Sequence, residues 1–544
     1  MTNPPSDRRS FLKLAGSGAV GLGAGSGALL SRRSSAQDMR TLVVAGDSDI
    51  DTLDPHSFKS IGAYLTQVNI YDSPLTWKVQ PVQDKPGIFL SKPAEYEGGV
   101  CESWAFEKEG ATVVLKVRQG IKFPNGRPVD ASTLKYMFDR CVGSPGYMRI
   151  VYPLLTKVSD ASKFVVRDAY TIAMEMPAPT PLALEVLSLL TNSLIDPEEV
   201  KAHATSADPW AAEWMKRNTA GLGPYRLVKN EPGSEVVLEA TPNHWRGKPY
   251  FDRVVIKFVP SEADRILLLK RKAVDIVSGR PGLSPRSIKS LEGEPGLRIV
   301  TLPDTVCHWL CMNTAKAPFN NAKVRQAINY AIPIQAILPN VVQGYGTQMK
   351  SPLPSLMPGH LASQSPYKYD LEKARALMRE SGVAGGTPLE LSIRVGWQPH
   401  EQAATWIQPE LEKLGFKVTI EKKSDAAFRQ ASMKGDQLLS IEAWQSWVND
   451  PFFHLFFNFH SKATGTNSSK YANPELDKLI DENMHEIDPA KRMAAAHRAQ
   501  QLLIDEGVWG FLWYDNWTRV MSANLTGIEK RWDTFDRFYA MKRT

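Results

Sequence analysis

The densest cluster of metal-binding and nucleophilic side chains is Cys307-His308-Trp309-Leu310-Cys311. Thiolate and imidazole ligands hold a metal only when they converge on one point. The surrounding run, TVCHWLCMNTA, has the β-branched and aromatic character of a strand. Strand residues four apart stand roughly 13 Å from each other, too far for a shared ion or a disulfide. These two cysteines are therefore expected to be structural thiols, which leaves Cys101 and Cys141 as the only pair for a disulfide. His400-Glu401 and His485-Glu486 start like a zinc-protease helix but lack the second histidine four residues after the first. His454 and His460 are six apart in Phe-rich sequence, a poor helical spacing for a shared metal. No nucleophile elbow follows residue 36, and no phosphate-binding Walker loop is present. Gly21, Gly23 and Gly25 follow no strand, so they do not form a dinucleotide loop, and no cofactor is called for. A hydrolase whose groups meet only in space is the alternative reading to a binding protein.

With 544 residues the chain exceeds a single hydrophobic core, so two or three domains are expected. A hydrophobic content of 43% with 23% charged residues is that of a globular protein, not a disordered one. The net charge of +7 is concentrated at the start: Arg8, Arg9, Lys13, Arg32 and Arg33 stand against Asp7 alone. The rest is nearly balanced, which argues against nucleic acid or an anionic membrane as partner. Asp7-Arg8-Arg9-Ser10-Phe11-Leu12-Lys13, a Gly-rich weakly apolar stretch and Ser34-Ser35-Ala36 resemble a twin-arginine export signal cleaved after Ala36. No later apolar run reaches the roughly 18 residues needed to span a bilayer. The first cysteine is Cys101, so none stands at the mature N-terminus to carry a lipid. The expected location is the periplasm, free of the membrane.

Short strands and helices alternate along the remainder. Trp104–Phe106 and Val113–Val117 flank a charged turn ending at Gly110 and predict a hairpin. Asp130 is a good N-cap for a helix that carries Leu134, Met137, Phe138 and Cys141 on one face. Strands are predicted at 41–45, 225–228, 234–239, 254–258, 305–312, 389–395 and 416–420. Helices are predicted at 262–272, 321–332, 370–380 and 401–414. Pro409 should kink the last or mark a restart.

Taken in order, several landmarks resemble one family. They include Leu53-Asp54-Pro55, Tyr71-Asp72-Ser73-Pro74-Leu75, Gly221-Leu222-Gly223-Pro224-Tyr225, Asn243-His244-Trp245 and Val324-Arg325-Gln326-Ala327-Ile328. The most specific is Cys101 to Trp104 followed by Arg118-Gln119-Gly120-Ile121-Lys122-Phe123-Pro124-Asn125-Gly126. This set is similar to the extracellular solute-binding proteins of the dipeptide, oligopeptide, nickel and opine type. The resemblance implies an α/β, two-lobed periplasmic binding protein fold with a hinge and an extra domain on the first lobe. Lobe I would comprise 38–81, 215–297 and 510–544, the extra domain 82–214, and lobe II 298–509. It further implies a monomer that binds a small molecule and hands it to the permease and ATPase of an ABC importer.

The ligand position follows from the same resemblance. In peptide-binding relatives an aspartate three residues after the equivalent of Trp444 holds the ligand's α-amino group. Here Trp447 stands at that position, with Asp450 as the alternative acceptor if the local alignment slips. An indole donates but does not accept, so an ammonium finds no partner there. A ring-bearing, amine-blocked or diffusely cationic ligand is expected: an opine-like compound, a sugar conjugate or a modified peptide. Trp397 lies where relatives place ligand-contacting side chains, and Arg394 could meet a carboxylate by a bidentate fork.

Overall fold

Two long strands, Leu297–Met312 and Trp509–Ser522, organise the fold. The computed structural model describes residues 40–57, 60–280, 282–361 and 365–544, so the expected export signal lies outside the described residues. The two strands pair antiparallel, but their register breaks between Pro303 and Cys307 and again between His308 and Trp309. On one side of the break, residues 297–303 oppose 516–522. There the sheet continues through Ile276–Val277, Thr41–Gly46, Arg253–Phe258, Glu235–Ala240 and Tyr225–Glu231. On the other side, residues 307–311 oppose 509–514. The sheet there continues through Leu439–Gln445, Thr387–Arg394 and Phe416–Lys423. Gly346–Gln348 adds an edge segment on the Trp509–Ser522 strand. The halves of this eleven-stranded sheet thus share only two strands, the arrangement of a two-lobed α/β fold. Register irregularities of this kind bend a strand and raise its twist, which turns one half relative to the other.

Between Thr41–Gly46 and Tyr225–Glu231 in sequence, the chain forms a separate four-stranded antiparallel sheet. It runs in the order Cys101–Glu107, Thr112–Val117, Thr171–Glu175 and Phe164–Asp168. The helix Ala131–Gly143 packs on it through Leu134, Met137, Phe138 and Cys141, all buried. Asp130 and Thr133 form a reciprocal cap at its start. In the landmark at 221–225, a side chain on Gly223 would place Cβ 2.4 Å from the Ile70 carbonyl carbon, so only glycine fits.

The second half is layered by helices Ala322–Ala331, Leu371–Ser381, Gln398–Glu412 and Pro489–Asp505. Gly382 ends the second of these in the left-handed region at φ +70, where a residue without Cβ costs least. The helix does not restart at Pro409 but is continuous from Gln398 to Glu412. Ile407 and Leu411 bury one face while Pro409 is exposed, so packing holds the helix and the ring meets solvent. Cys101 and Cys141, the one pair left open for a disulfide, are not bonded: all four cysteines are free and buried. Both residues pack as small apolar groups in the core beneath the four-stranded sheet. Cys307 and Cys311 lie on one strand, as expected.

Candidate ligand cleft

A cleft opens where the two long strands lose register. Asp304, Val306 and His308 line it from one strand. Trp513, Asp515, Trp517 and Arg519 line it from the other. Asn516 and Thr518 of the same strand line it as well, so consecutive residues of the strand reach the cavity beside the register break. Trp397, Pro399 and His400 enter from the start of the helix Gln398–Glu412, and Gly279, Arg280 and Leu283 from a loop of the opposite half. Thr534 and Phe535 close the wall. The cavity volume is about 100 Å³, room for several water-sized groups at roughly 10–15 Å³ each.

Its charged groups are mostly paired already. Arg280 lies 3.0 Å from Asp304, and buried Lys530 sits 3.3 Å from the other oxygen of that carboxylate. Arg280 also bonds Gln445, which comes from the far half of the sheet. Arg519 donates to both oxygens of Asp536 at 3.1 and 2.8 Å. Asp515 accepts from His308 Nε2 at 2.8 Å and from the Trp513 indole at 3.0 Å. Burial alone would raise the Asp515 carboxyl, but His308, Arg280 and the indole outweigh it and hold it below its ordinary range. His308 Nδ1 lies 2.9 Å from His400 Nε2. The Asp515–His308 pair resembles the acid–imidazole half of a hydrolase triad. Its second nitrogen is occupied by another imidazole, however, so it holds no nucleophile.

Of the residues singled out from sequence, Trp397 lines this cavity. Arg394 lies behind it, buried, 3.1 Å from Glu442, with its guanidinium 4.7 Å from the Trp397 ring centre and 4.6 Å from that of Phe428. Trp444, Trp447 and Asp450 gather at a second place. The Trp444 ring packs against Phe453, His454 and Phe457. Trp447 lies 4.6 Å from Tyr147 and 5.5 Å from Phe453, ring to ring. Asp450 caps the helix Pro451–Phe459 through the amides of Phe452 and Phe453 and pairs with Arg492. Sequence reasoning missed His308, His400, Asp515, Arg280 and Arg519 as cavity groups. The signal for Asp515 and Arg519 was the alternation of polar and aromatic residues in WYDNWTR; the other three carry no local signal.

A two-part sheet joined by two strands, with an aromatic-walled and polar-edged cleft at the joint, defines a receptor that captures a small solute between lobes. The profile of the bacterial extracellular solute-binding proteins, family 5, matches residues 95–466, and the chain belongs to that family. A probable D,D-dipeptide-binding periplasmic protein of Escherichia coli is 28% identical over 493 residues, covering 89% of this chain and 90% of that protein. Heme-binding protein A of Haemophilus influenzae is 25% identical, covering 85% and 87%. Among solved structures, the periplasmic binding protein DppA of Helicobacter pylori, in complex with the peptide STSA, aligns with a TM-score of 0.79 at 22% identity. It covers 92% of this chain and 98% of its own. MoaA of A. tumefaciens R10 in complex with mannopinic acid aligns at 0.78 and 21% identity, covering 93% and 99%.

Proposed function

We propose that this protein is a periplasmic receptor of an ABC importer, exported by the twin-arginine route, which closes as a monomer on one small peptide-like or related solute and catalyses no reaction. The observation that carries this reading is the cleft at the register break: rings and polar groups from both halves of the sheet converge on one cavity. The relatives support it: one is described as binding D,D-dipeptides, and neighbours of the same fold hold a peptide and mannopinic acid. The proposed division is lobe I at 38–81, 215–297 and 510–544, the added domain at 82–214 and lobe II at 298–509, so that the two long strands link the lobes. Five residues were named as ligand groups from sequence, namely Trp397, Arg394, Trp444, Trp447 and Asp450. Trp397 is proposed to touch the solute and Arg394 to hold its ring in place. Trp447, with Trp444 and Asp450 behind it, presents rings and no free carboxylate. Trp447 does not line this cavity, so the weak binding of dipeptides with a free α-amine expected from it does not follow for a solute held here.

Native mass spectrometry of protein purified from periplasm tests the reading, with melting shifts over a metabolite panel. A bound solute, or stabilisation of about 2.7 kcal/mol at hundred-fold saturation, is expected. Turnover of an ester, amide or glycoside without any such shift would replace it with a hydrolase.

A further inference from the structure

Asp515, His308 and His400 form one hydrogen-bonded chain along the cavity wall, 2.8 Å and 2.9 Å between successive partners. His308 is stacked on Trp513, ring centres 4.6 Å apart, which fixes its plane. His400 is fully buried, and its Nδ1 has no hydrogen-bond partner among the described residues. Both histidines line the cavity.

The protons in this chain are coupled. His308 donates from Nε2 to the Asp515 carboxylate. When His308 is neutral, its Nδ1 is an acceptor, so His400 donates from Nε2 and leaves a bare lone pair on Nδ1. When His308 carries a second proton, its Nδ1 donates to His400 Nε2. His400 then carries its own proton on Nδ1 and becomes a donor. The charge of one ring thus sets the hydrogen-bond sense of the other.

We propose that this chain reads an anion in the cleft: a ring-bearing carboxylate accepts a hydrogen bond from His400 Nδ1–H, and one proton from solvent is taken up on His308 as it binds. The inference rests on reading the cavity as the solute site. The rings of Trp397, Trp513, Trp517 and Phe535 supply walls for a flat ligand. Arg280 and Arg519 also line the cavity, each already paired with an aspartate.

The proton goes to His308 because of its neighbours. Asp515 lies against it on the Trp509–Ser522 strand, 2.8 Å from its Nε2. His400 faces His308 on one side and Arg394 on the other, and burial, then these two cations, keep its own ring neutral. The other charged groups on elements packed here include Asp304 with Arg280 and Lys530, Arg519 with Asp536, Glu442 with Arg394, and Glu401 with Lys422. All of these are paired, so none competes for the site.

Benzoate serves as the probe, because it is ionised throughout the range used. The full mature chain, labelled with 15N-histidine, is titrated with benzoate at pH 5.5 and pH 8. Affinity should be higher at pH 5.5, by about tenfold per pH unit wherever the proton is taken up. On binding, the His400 proton should move from Nε2 to Nδ1 while His308 gains its second proton. His308→Gln should abolish the pH dependence, and His400→Gln should weaken benzoate at both pH values. Affinity independent of pH, an unchanged His400 tautomer, or no benzoate binding at either pH overturns the proposal. If benzoate fails while other metabolites still shift melting, the receptor reading stands and only the carboxylate relay falls.

Discussion

Glu185 shows how one buried carboxyl can make stability depend on pH. It stands on the helix Ala183–Ser188 and accepts from the Trp77 indole at 3.0 Å and the Tyr96 hydroxyl at 2.9 Å. Burial pushes its carboxyl up to about 7, and these two donors only partly offset the push. A raised acid binds its proton more tightly in the fold than in the unfolded chain. Its favourable contribution is complete below the ordinary glutamate range and is lost as pH rises through about 7. Glutamine mimics the protonated form and keeps an acceptor for both donors. Glu185→Gln should therefore stabilise the protein at pH 8 by roughly 1–3 kcal/mol and have little effect at pH 4.5. Urea melts at the two pH values check this; equal differences at both would show that ionisation is not what Glu185 costs.

At the scale of elements, packing overrides propensity where the two conflict. The helix Gln398–Glu412 has to hold Trp397 and His400 at the cleft, and it runs through Pro409 to do so. Ala403, Ala404, Ile407 and Leu411 form its buried face. That apolar stripe supplies the energy that outweighs one missing backbone hydrogen bond. Because Pro409 itself is exposed, Pro409→Ala removes no buried contact and restores a donor. The variant should be more stable by about 1–3 kcal/mol, read as a higher urea midpoint at unchanged slope. The helix Ala131–Gly143 is the opposite case, since its cap, apolar face and burial all agree.

For the whole molecule the decisive feature is that the two halves of the large sheet are joined by two strands and bridged by side chains, among them the Tyr345 hydroxyl bonded to Glu292. Gln445 is one bridge: it accepts from Arg280 and donates to Thr534 at 3.1 Å and to the Trp532 carbonyl at 3.3 Å. Each such bond has a net worth of about 0.5–1.5 kcal/mol. Gln445→Ala should lower the closed-to-open ratio by roughly tenfold or more without unfolding either half. Small-angle scattering without ligand should then report a larger radius of gyration than for the wild type. An unchanged radius would mean that Gln445 does not hold the lobes together. Export belongs to this scale too. Replacing Arg8 and Arg9 by lysine should leave the precursor in the cytoplasm, and undiminished periplasmic yield would count against the twin-arginine route.

The local elements were legible because their causes are local. The Asp130 cap, the Gly382 stop, the hairpin around Gly110 and the strand character of TVCHWLCMNTA follow from residue type and spacing; the strand expected at 305–312 ends at Met312 as expected but begins at Leu297. The order of landmarks also pointed to the two-lobed family fold. The cleft was not legible in the same way. His308, His400 and Asp515 are separated by 92 and 207 positions as counted from His308. No periodicity in the chain records that they meet. Trp444 and Trp447 carried the stronger local signal, yet they meet Tyr147 and the Phe-rich helix away from that cavity. Local sequence determines what each segment can form, because backbone and neighbouring side chains act within a few residues. Only the crossing of two distant strands decided which side chains share a cavity, since that depends on register and packing between segments hundreds of residues apart.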